Sequence, residues 1–445
     1  MRLHRFLQTL PLAFALAAGG VQVSTAPAGQ VATAALSDGV ALVAPESVGF
    51  SREALKELDP AMQGIVDAGH LAGVVTLVAR HGKVVQHKAY GLQDVATQTP
   101  MQLDTIVRVY SMTKPIAGAA MMMLYEEGKW LPTDPIARHI PEFANLKVFT
   151  GIDANGQPII VAPNHPPTIG ELMSHNAGFT YGLFGNSPVD KMYQADNPLD
   201  APSLQAFIDK LAKLPLLYQP GEKWVYSVSV DIQGYLVQKL SGKTFPDFLR
   251  DRIFTPLGMK DTGFMVPAAT LPRVATIYGW DAATKALKGA PHDPGISQMP
   301  ELPSGGGGLY STAADYFHFA QMMLNGGELN GKRLLKKSSV DMMRTNVLND
   351  QTLNSKSGIG PVHLSPELGF GYDFAVMRDP SALKSPLGKG TYWWWGIAGT
   401  WFFNDPANDL LFIGMIQRRG GAPGAINHED AARAVVYKAL VDRSK

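Results

Sequence analysis

Strand-like patterns occur at both ends of the chain. Near the N-terminus, two β-branched runs at 73–80 and 83–90 flank the dipeptide His81-Gly82, and so short a glycine-containing turn predicts a β-hairpin. Strand patterns return only late in the chain, at 369–378, 396–404 and 409–417. Between these two regions the hydrophobic positions follow a different period.

Helical periodicity dominates the middle of the chain. Residues 112–127 are almost wholly apolar, and a helix that is apolar on every side is predicted to be buried. Ser51 can cap an earlier helix that runs to about Gly69 and is broken or kinked at Pro60. A small hairpin is expected around Asn155. The remaining helical segments are 168–175, 203–213, 229–240, 245–254, 312–324 and 428–442.

This order of elements predicts the fold class and the domain organisation. Strands at both ends with helices between them indicate an α+β protein. A chain of 445 residues exceeds the ~250–300 residues that one core usually serves, so two globular units are expected. We predict a discontinuous α/β domain formed by 49–145 and 305–445, with a mostly helical domain, 146–304, inserted into it.

The first residues have the character of a targeting signal. Arg2 and Arg5 give a basic start, the apolar run Leu10–Val21 follows, and small residues come next, as in a cleaved secretory signal peptide. The apolar run is shorter than the ~18 residues that a membrane span needs. We therefore expect a signal peptide at 1–26, a linker at 27–48, and a periplasmic or secreted mature protein without a membrane anchor.

Composition excludes several classes of function. The 39 Lys and Arg residues nearly balance 38 Asp and Glu residues, so no basic field favours nucleic acid as a partner. The absence of cysteine rules out disulfides, thiolate metal sites and a cysteine nucleophile. The only dense cluster of possible metal ligands, Asn427–Asp430, is better explained as the polar cap of the last helix. No metal or cofactor is expected.

A Ser-x-x-Lys motif offers the strongest chemistry. One copy, Ser381–Lys384, lies in a loop between prolines, but the other, Ser111–Lys114, opens the buried helix. At this spacing Ser111 and Lys114 share one helix face. Burial and the adjacent helix N-terminus favour the neutral amine, which can take the proton of Ser111 and activate it as a nucleophile. The alternative is that Lys114 merely extends from the core to solvent.

Further motifs accompany this pair along the chain. They are Thr168–Gly178 (TIGELMSHNAG), Pro220-Gly221 before Tyr226-Ser227-Val228, Pro256–Met259 (PLGM), and Gly305–Tyr316 (GGGGLYSTAADY). With Tyr110–Pro115 (YSMTKP), they make residues 47–442 similar to the serine β-lactamase/penicillin-binding-protein-like hydrolases. Within that family the chain most resembles the class C β-lactamase-like carboxylesterases, called family eight. The resemblance implies an antiparallel sheet flanked by helices, with a mostly helical insertion.

The resemblance also implies roles for individual residues. Ser111 would be the nucleophile, Lys114 the base, and Tyr226 a second acid/base group that passes a proton to the leaving alcohol. The backbone N–H groups of Ser111 and Ile397 would form the oxyanion hole, in which each such donor contributes about 10²–10³ in rate.

Two positions depart from the lactamase pattern. Val228 stands where that pattern has asparagine, and the third motif, Trp394-Trp395-Gly396, has tryptophan where it has lysine or histidine. Losing an amide partner and a cationic anchor weakens recognition of acidic acyl-amides by several kcal/mol, since hydrogen bonds to charged groups contribute ~1.5–3 kcal/mol each. The expected substrate pocket consists of Tyr110, Tyr181, Val228, Trp394 and Gly396.

These residues support three hypotheses about function. The first is a serine carboxylesterase that cleaves small neutral esters through an acyl-enzyme on Ser111. The second is a β-lactamase or D-Ala-D-Ala carboxypeptidase-type peptidase of the same fold, and the third is a non-catalytic relative that binds the cell wall. The expected partner is a small-molecule ester. The sequence does not predict an oligomeric state.

Overall fold

The computed structural model describes residues 41–354, 358–421 and 424–442. The signal peptide predicted at 1–26 and the first part of the linker predicted at 27–48 lie outside the described residues. The last part of that linker pairs with the first hairpin, because the N–H of Val43 donates to the carbonyl oxygen of Val84 at 2.9 Å. Within the described ranges, no helix has the length and apolar character needed to cross a membrane.

The strands form one large sheet and several small ones. In chain order they are β1 (Gly73–Arg80), β2 (Lys83–Asp94), β3 (Thr99–Pro100), β4 (Val107–Arg108), β5 (Val148–Ile152), β6 (Pro158–Val161), β7 (Tyr278–Asp281), β8 (Ala286–Gly289), β9 (Tyr310–Ser311), β10 (Glu328–Leu329), β11 (Lys332–Arg333), β12 (Leu368–Phe370), β13 (Ala375–Met377), β14 (Tyr392–Trp395), β15 (Trp401–Asp405), β16 (Leu410–Met415) and β17 (Arg418–Arg419). The large sheet has the order β12-β13-β14-β15-β16-β1-β2-β3, and all of its neighbours are antiparallel. The expected antiparallel sheet of an α+β protein is confirmed.

Helices of varied length surround this sheet. They are α1 (Arg52–Lys56), α2 (Leu58–Asp67), α3 (Thr113–Glu126), α4 (Ile169–Met173), α5 (Pro188–Ala195), α6 (Leu204–Leu211), α7 (Ser229–Ser241), α8 (Phe245–Leu249), α9 (Thr255–Leu257), α10 (Ala313–Leu324), α11 (Lys337–Met343), α12 (Asp350–Asn354) and α13 (His428–Ala439). Ser51 caps α1 as predicted, by accepting from the N–H of Ala54. The expected break comes at Glu57, three residues before Pro60, because proline is tolerated in the first turn of α2.

Alternate residues of the strands pack into two separate cores. On β1, Val74 and Val78 join a core with α2 and α13, whereas Val75 and Leu77 join the larger core that contains α3 and α10. Both faces of the sheet are therefore covered, which explains why β1 is buried along its whole length. The larger core also draws on α4, α6, α7 and α8, so it spans both of the predicted domains. The domain boundaries themselves stay a prediction.

The β1–β2 hairpin is confirmed, but two late strands differ from the prediction. The segment 369–378 forms two strands, β12 and β13, because the chain reverses at Asp373, whose φ is 63°. The segment 396–404 was predicted as one strand, yet 396–400 forms a turn in which Gly396 N–H donates to the carbonyl of Thr400 at 2.7 Å. Gly399, with a φ of 84°, makes this turn possible. The tryptophan-rich segment before it becomes β14.

Candidate active site

Ser111 lies in a tight turn at the start of the buried helix. The 3₁₀ turn Tyr110–Met112 leads directly into α3, and Tyr110 has a φ of 45°, which is rare for a residue other than glycine. The hydroxyl of Tyr316 holds the turn by donating to the carbonyl oxygen of Met112 at 2.9 Å. Strained backbone of this kind concentrates at functional sites, where the surrounding structure maintains it.

Lys114 is buried beside Ser111. Its side chain is among the largest fully buried ones, and its Nζ lies 3.3 Å from Ser111 Oγ. Nζ also donates to the carbonyl oxygen of Gly306 at 2.6 Å. The rings of Tyr226 and Tyr181 lie 4.6 and 5.3 Å from Nζ, measured to their centroids. The amine therefore stays in the core, and the alternative in which Lys114 extends to solvent is wrong.

The glycine loop 305–308 packs directly against this pair. A Cβ atom at Gly306 would lie 2.5 Å from Asp231 Oδ2 and 2.7 Å from Tyr181 Oη, so a larger residue would force the loop or these two side chains to move. The N–H of Gly306 donates to Asp231 Oδ1 at 3.0 Å. Asp231 and Lys114 thus fix the two sides of one peptide segment, and that segment sets the position of the amine.

Tyr226 reaches the site from the segment that precedes α7. Its phenolic oxygen accepts a hydrogen bond from the indole N–H of Trp394 at 3.3 Å, and the two ring centroids are 5.4 Å apart. The ring of His175 lies 5.0 Å from that of Tyr226 on another side. Aromatic packing on several sides orients the Tyr226 hydroxyl, because tilted ring pairs of this spacing are favourable.

Other titratable groups lie buried beneath the pair. Burial raises the pKa of Asp231, and it raises that of Asp373 well above its ordinary range, while the charge of Lys114 acts in the opposite direction on both. Burial also lowers the pKa of His175 well below its ordinary value, and the charge of Lys114 adds to this effect. Desolvation thus favours the neutral form of each group around the amine.

A cavity of about 290 Å³ opens beside Ser111. Four other residues predicted for the site line it with Ser111 and Tyr226, namely Tyr110, Tyr181, Trp394 and Ile397. Val228 is buried at the start of α7, outside this lining. Gly396 also lies outside it, and a Cβ there would be 2.4 Å from the carbonyl oxygen of Val109. Their roles as pocket residues stay predictions.

Several lining residues were not predicted from the sequence. They are Arg108, Leu183, Phe184, Leu199, Ser304, Gly306, Gly307, Pro361 and Trp395. Gly306, Gly307 and Trp395 belong to motifs named above. The others carry no motif, and only the fold brings them to the cavity. Both Trp394 and Trp395 line the cavity at the end of β14, although consecutive residues of a regular strand point to opposite faces of a sheet.

The described residues contain no group of three or more His, Asp or Glu side chains placed to hold a metal ion.

Known proteins resemble this chain over most of its length. A family model described as Beta-lactamase matches residues 58–437. Protein Rv1367c of Mycobacterium tuberculosis is 36% identical over 363 residues, which cover 79% of this chain and 87% of that protein. Esterase EstB of Burkholderia gladioli is 29% identical over 380 residues, covering 80% and 88%. The solved structure of EstCE1, a hydrolase with promiscuous acyltransferase activity, superposes with a TM-score of 0.71 at 25% identity, covering 86% of this chain and 99% of that one.

Proposed function

Because this chain belongs to the beta-lactamase family of serine hydrolases, we propose that it is a carboxylesterase that cleaves small neutral esters through an acyl-enzyme on Ser111. The contact between Ser111 Oγ and the buried Nζ of Lys114, at 3.3 Å, carries this proposal. Similarity to Esterase EstB supports the ester-cleaving activity.

In the first step, Lys114 takes the proton of Ser111 while Oγ attacks the ester carbonyl. The carbonyl π electrons move onto oxygen and give a tetrahedral oxyanion. The backbone N–H groups of Ser111 and Ile397 are proposed to stabilise that charge, because fixed donors cost no reorganisation when charge develops. Ile397 lines the cavity on the turn that follows β14, on the wall shared with Trp394.

In the second step, the oxyanion collapses and the bond to the alcohol oxygen breaks. Tyr226 donates its proton to the departing alcohol and regains one from Lys114, whose Nζ lies 4.6 Å from the tyrosine ring centroid. Water then attacks the acyl-enzyme by the same route in reverse, and the carboxylic acid leaves. The mechanism needs one base, Lys114, and one proton relay, Tyr226. Lys114 contacts the nucleophile, and the ring of Tyr226 contacts the amine of Lys114.

The walls of the cavity favour a small, neutral acyl group. Leu183, Phe184, Trp394 and Trp395 line the cavity beside Ser111, and none of them carries a charge. An acyl group packed against these side chains has to be neutral, because they offer a charged group no partner. Val228 and Trp394 stand where the lactamase pattern has an amide and a cation, and this supports esters over penicillins.

A panel of 4-nitrophenyl esters with increasing acyl length, measured beside a chromogenic cephalosporin, tests the proposal. We expect acetate and butyrate esters to be cleaved at least a hundredfold faster than the cephalosporin, as judged by kcat/KM. The Ser111→Ala variant serves as the blank. Faster cleavage of the cephalosporin would favour the lactamase hypothesis, and failure to cleave any substrate would favour the non-catalytic one.

We also propose that the enzyme acts in the periplasm or outside the cell. The basic and apolar character of the first residues supports this location. N-terminal sequencing of the protein recovered from the periplasm or medium should begin near residue 27, whereas an intact N-terminus in the cytoplasm would contradict it.

A further inference from the structure

A second, larger chamber adjoins the cavity at Ser111. It measures about 800 Å³, and the side chains of Arg108 and Tyr110 line both spaces. The small sheet formed by β17, β7 and β8 provides one wall of the chamber. The part of its lining that comes from residues 282–293 is mostly exposed to solvent, so the chamber is open on that side.

Two arginines meet at Tyr110, between the two spaces. The guanidinium carbon of Arg108 lies 4.7 Å from the centroid of the Tyr110 ring, and that of Arg419 lies 5.0 Å from it. Arg419 Nη2 also donates to the hydroxyl of Tyr110 at 2.5 Å. The two guanidinium carbons are therefore within about 10 Å of each other, and both face the chamber.

Neither arginine is neutralised by the protein. Among the described residues, no ion pair joins Arg108 or Arg419 to a carboxylate. The Nε of Arg108 is buried and has no hydrogen-bond partner within the same residues. In the part of the chain that the structure describes, both guanidinium groups line the chamber without a carboxylate partner, so an anion that enters the chamber can form charge-assisted hydrogen bonds with them.

The carboxylates that line the chamber are occupied elsewhere. Asp281 Oδ1 accepts from the backbone N–H groups of Ala283 and Thr284, and these bonds lower the pKa of Asp281, with Lys288 contributing less. Asp293 Oδ1 accepts from the N–H of Gly295. Lys288 and His292 also line the chamber, so its charges do not sum to a negative field.

We propose that this chamber binds the alcohol part of the substrate, and that this part carries a carboxylate which pairs with Arg108 and Arg419. The inference rests on the proposed esterase function and changes one part of it. The acyl group of the substrate stays neutral, but the alcohol part carries a charge. The acyl group fills the apolar cavity at Ser111, and the hydroxy acid leaves through the open chamber. Arginine suits this task because its planar donors match a carboxylate in a bidentate fashion.

A pair of matched esters tests the assignment. 4-Acetoxybenzoate and 4-acetoxybenzamide share the acetyl group and nearly the same shape, but only the first has a charged leaving group. In the wild-type protein we expect kcat/KM to favour the benzoate. In Arg108→Gln and Arg419→Gln, the ratio of the two kcat/KM values should fall by about tenfold, the equivalent of one charged hydrogen bond.

Lys83→Gln is the control variant. Lys83 is an exposed cation at the turn of the first hairpin. It lies far from the chamber, because a small cleft beside the chamber is found around Gly73, at the opposite end of β1. Its substitution changes the net charge equally and should leave the ratio as in the wild type. If the arginine variants also leave the ratio unchanged, the anion site does not exist.

Two further measurements separate the possible failures. The first compares phenyl hydrogen succinate with phenyl succinamate, in which the charge lies on the acyl group. If kcat/KM discriminates between these two more strongly than between the acetoxy esters, in favour of the charged one, the anion binds on the acyl side and the assignment is overturned. Calorimetric binding of 4-hydroxybenzoate to Ser111→Ala, and its loss on adding Arg419→Gln, tests the site without any turnover. If neither ester is cleaved but 4-hydroxybenzoate binds through Arg419, the esterase proposal fails and the anion site stands; absence of binding overturns the site.

Discussion

The indole N–H of Trp394 donates to the phenolic oxygen of Tyr226 across 3.3 Å, and both side chains are buried. The lactamase pattern that the sequence resembles has a lysine or histidine where this chain has Trp394. The tryptophan keeps a hydrogen-bond donor at that position but removes the positive charge. The site thus retains a means of orienting Tyr226 while it lacks the cation that, in the lactamase pattern, helps to hold the substrate carboxylate.

Replacing Trp394 by phenylalanine removes this donor and preserves an aromatic ring. We expect kcat for 4-nitrophenyl butyrate to fall roughly three- to tenfold, the effect of one net hydrogen bond. Trp395→Phe, in the adjacent part of the same wall, is the matched control and should lose less. Equal losses in the two variants would mean that ring volume, and not the bond to Tyr226, determines the rate.

The carbonyl of Gly306 provides a test of how Lys114 is positioned. Gly306→Ala places a methyl group within 2.5 Å of Asp231 Oδ2, so either the loop or the Asp231 carboxylate that holds it must shift. We expect kcat to fall by at least tenfold, with a smaller change in KM. At Gly307 the nearest atom to an added Cβ is 3.6 Å away, and Gly307→Ala should therefore lose much less activity. A larger loss at Gly307 would contradict this role of the Gly306 carbonyl.

Lys114→Met removes the proposed base and keeps most of the buried volume. General-base catalysis is typically worth about 10²–10⁴ in rate, so we expect kcat/KM to fall by about a hundredfold or more. Near-ultraviolet circular dichroism should stay like that of the wild type, which separates lost chemistry from lost folding. A folded variant that retains a tenth of the activity would show that another group activates Ser111.

His428 gives the protein a pH-dependent stability. Burial, followed by the charge of Arg418, lowers the pKa of His428 to about 4, while the unfolded value is about 6.5. The unfolded chain therefore binds a proton first as the pH falls. The contribution of His428 to the free energy of unfolding is complete above pH ~6.5 and is lost as the pH drops towards 4. The total loss from this group is roughly 3 kcal/mol.

Urea unfolding at pH 7 and pH 5 measures this effect. The free energy of unfolding should decrease less between the two pH values in His428→Gln than in the wild type, by roughly 2 kcal/mol. His363→Gln, at an exposed histidine, is the control and should follow the wild type. The same slope in all three proteins would rule out His428 as the source.

The sequence predicted the features that depend on neighbouring residues. The hairpin turn at His81-Gly82 and the buried helix that begins after Ser111 follow from local pattern, and a serine and lysine three positions apart must share a helix face. The turn at 396–400 was missed because large apolar residues flank it on both sides, and the positive φ of Gly399 that permits the turn cannot be read from the sequence.

The rest of the site depends on contacts between distant segments. Arg419 touches Tyr110 across 309 positions of the chain, and Asp373 reaches the buried helix from a hairpin turn near the other end of the sequence. No period or motif links such residues, because the sheet order places the last strands beside the first. These contacts required the folded structure.

Trapping of the acyl-enzyme tests the central claim most directly. The protein should be mixed with 4-nitrophenyl butyrate, quenched in acid within milliseconds, and measured by intact mass spectrometry followed by peptide mapping. We predict one butyryl group per chain on the peptide that contains Ser111, and none in Ser111→Ala. An acyl group on another residue, or ester hydrolysis that persists in Ser111→Ala, would contradict the account.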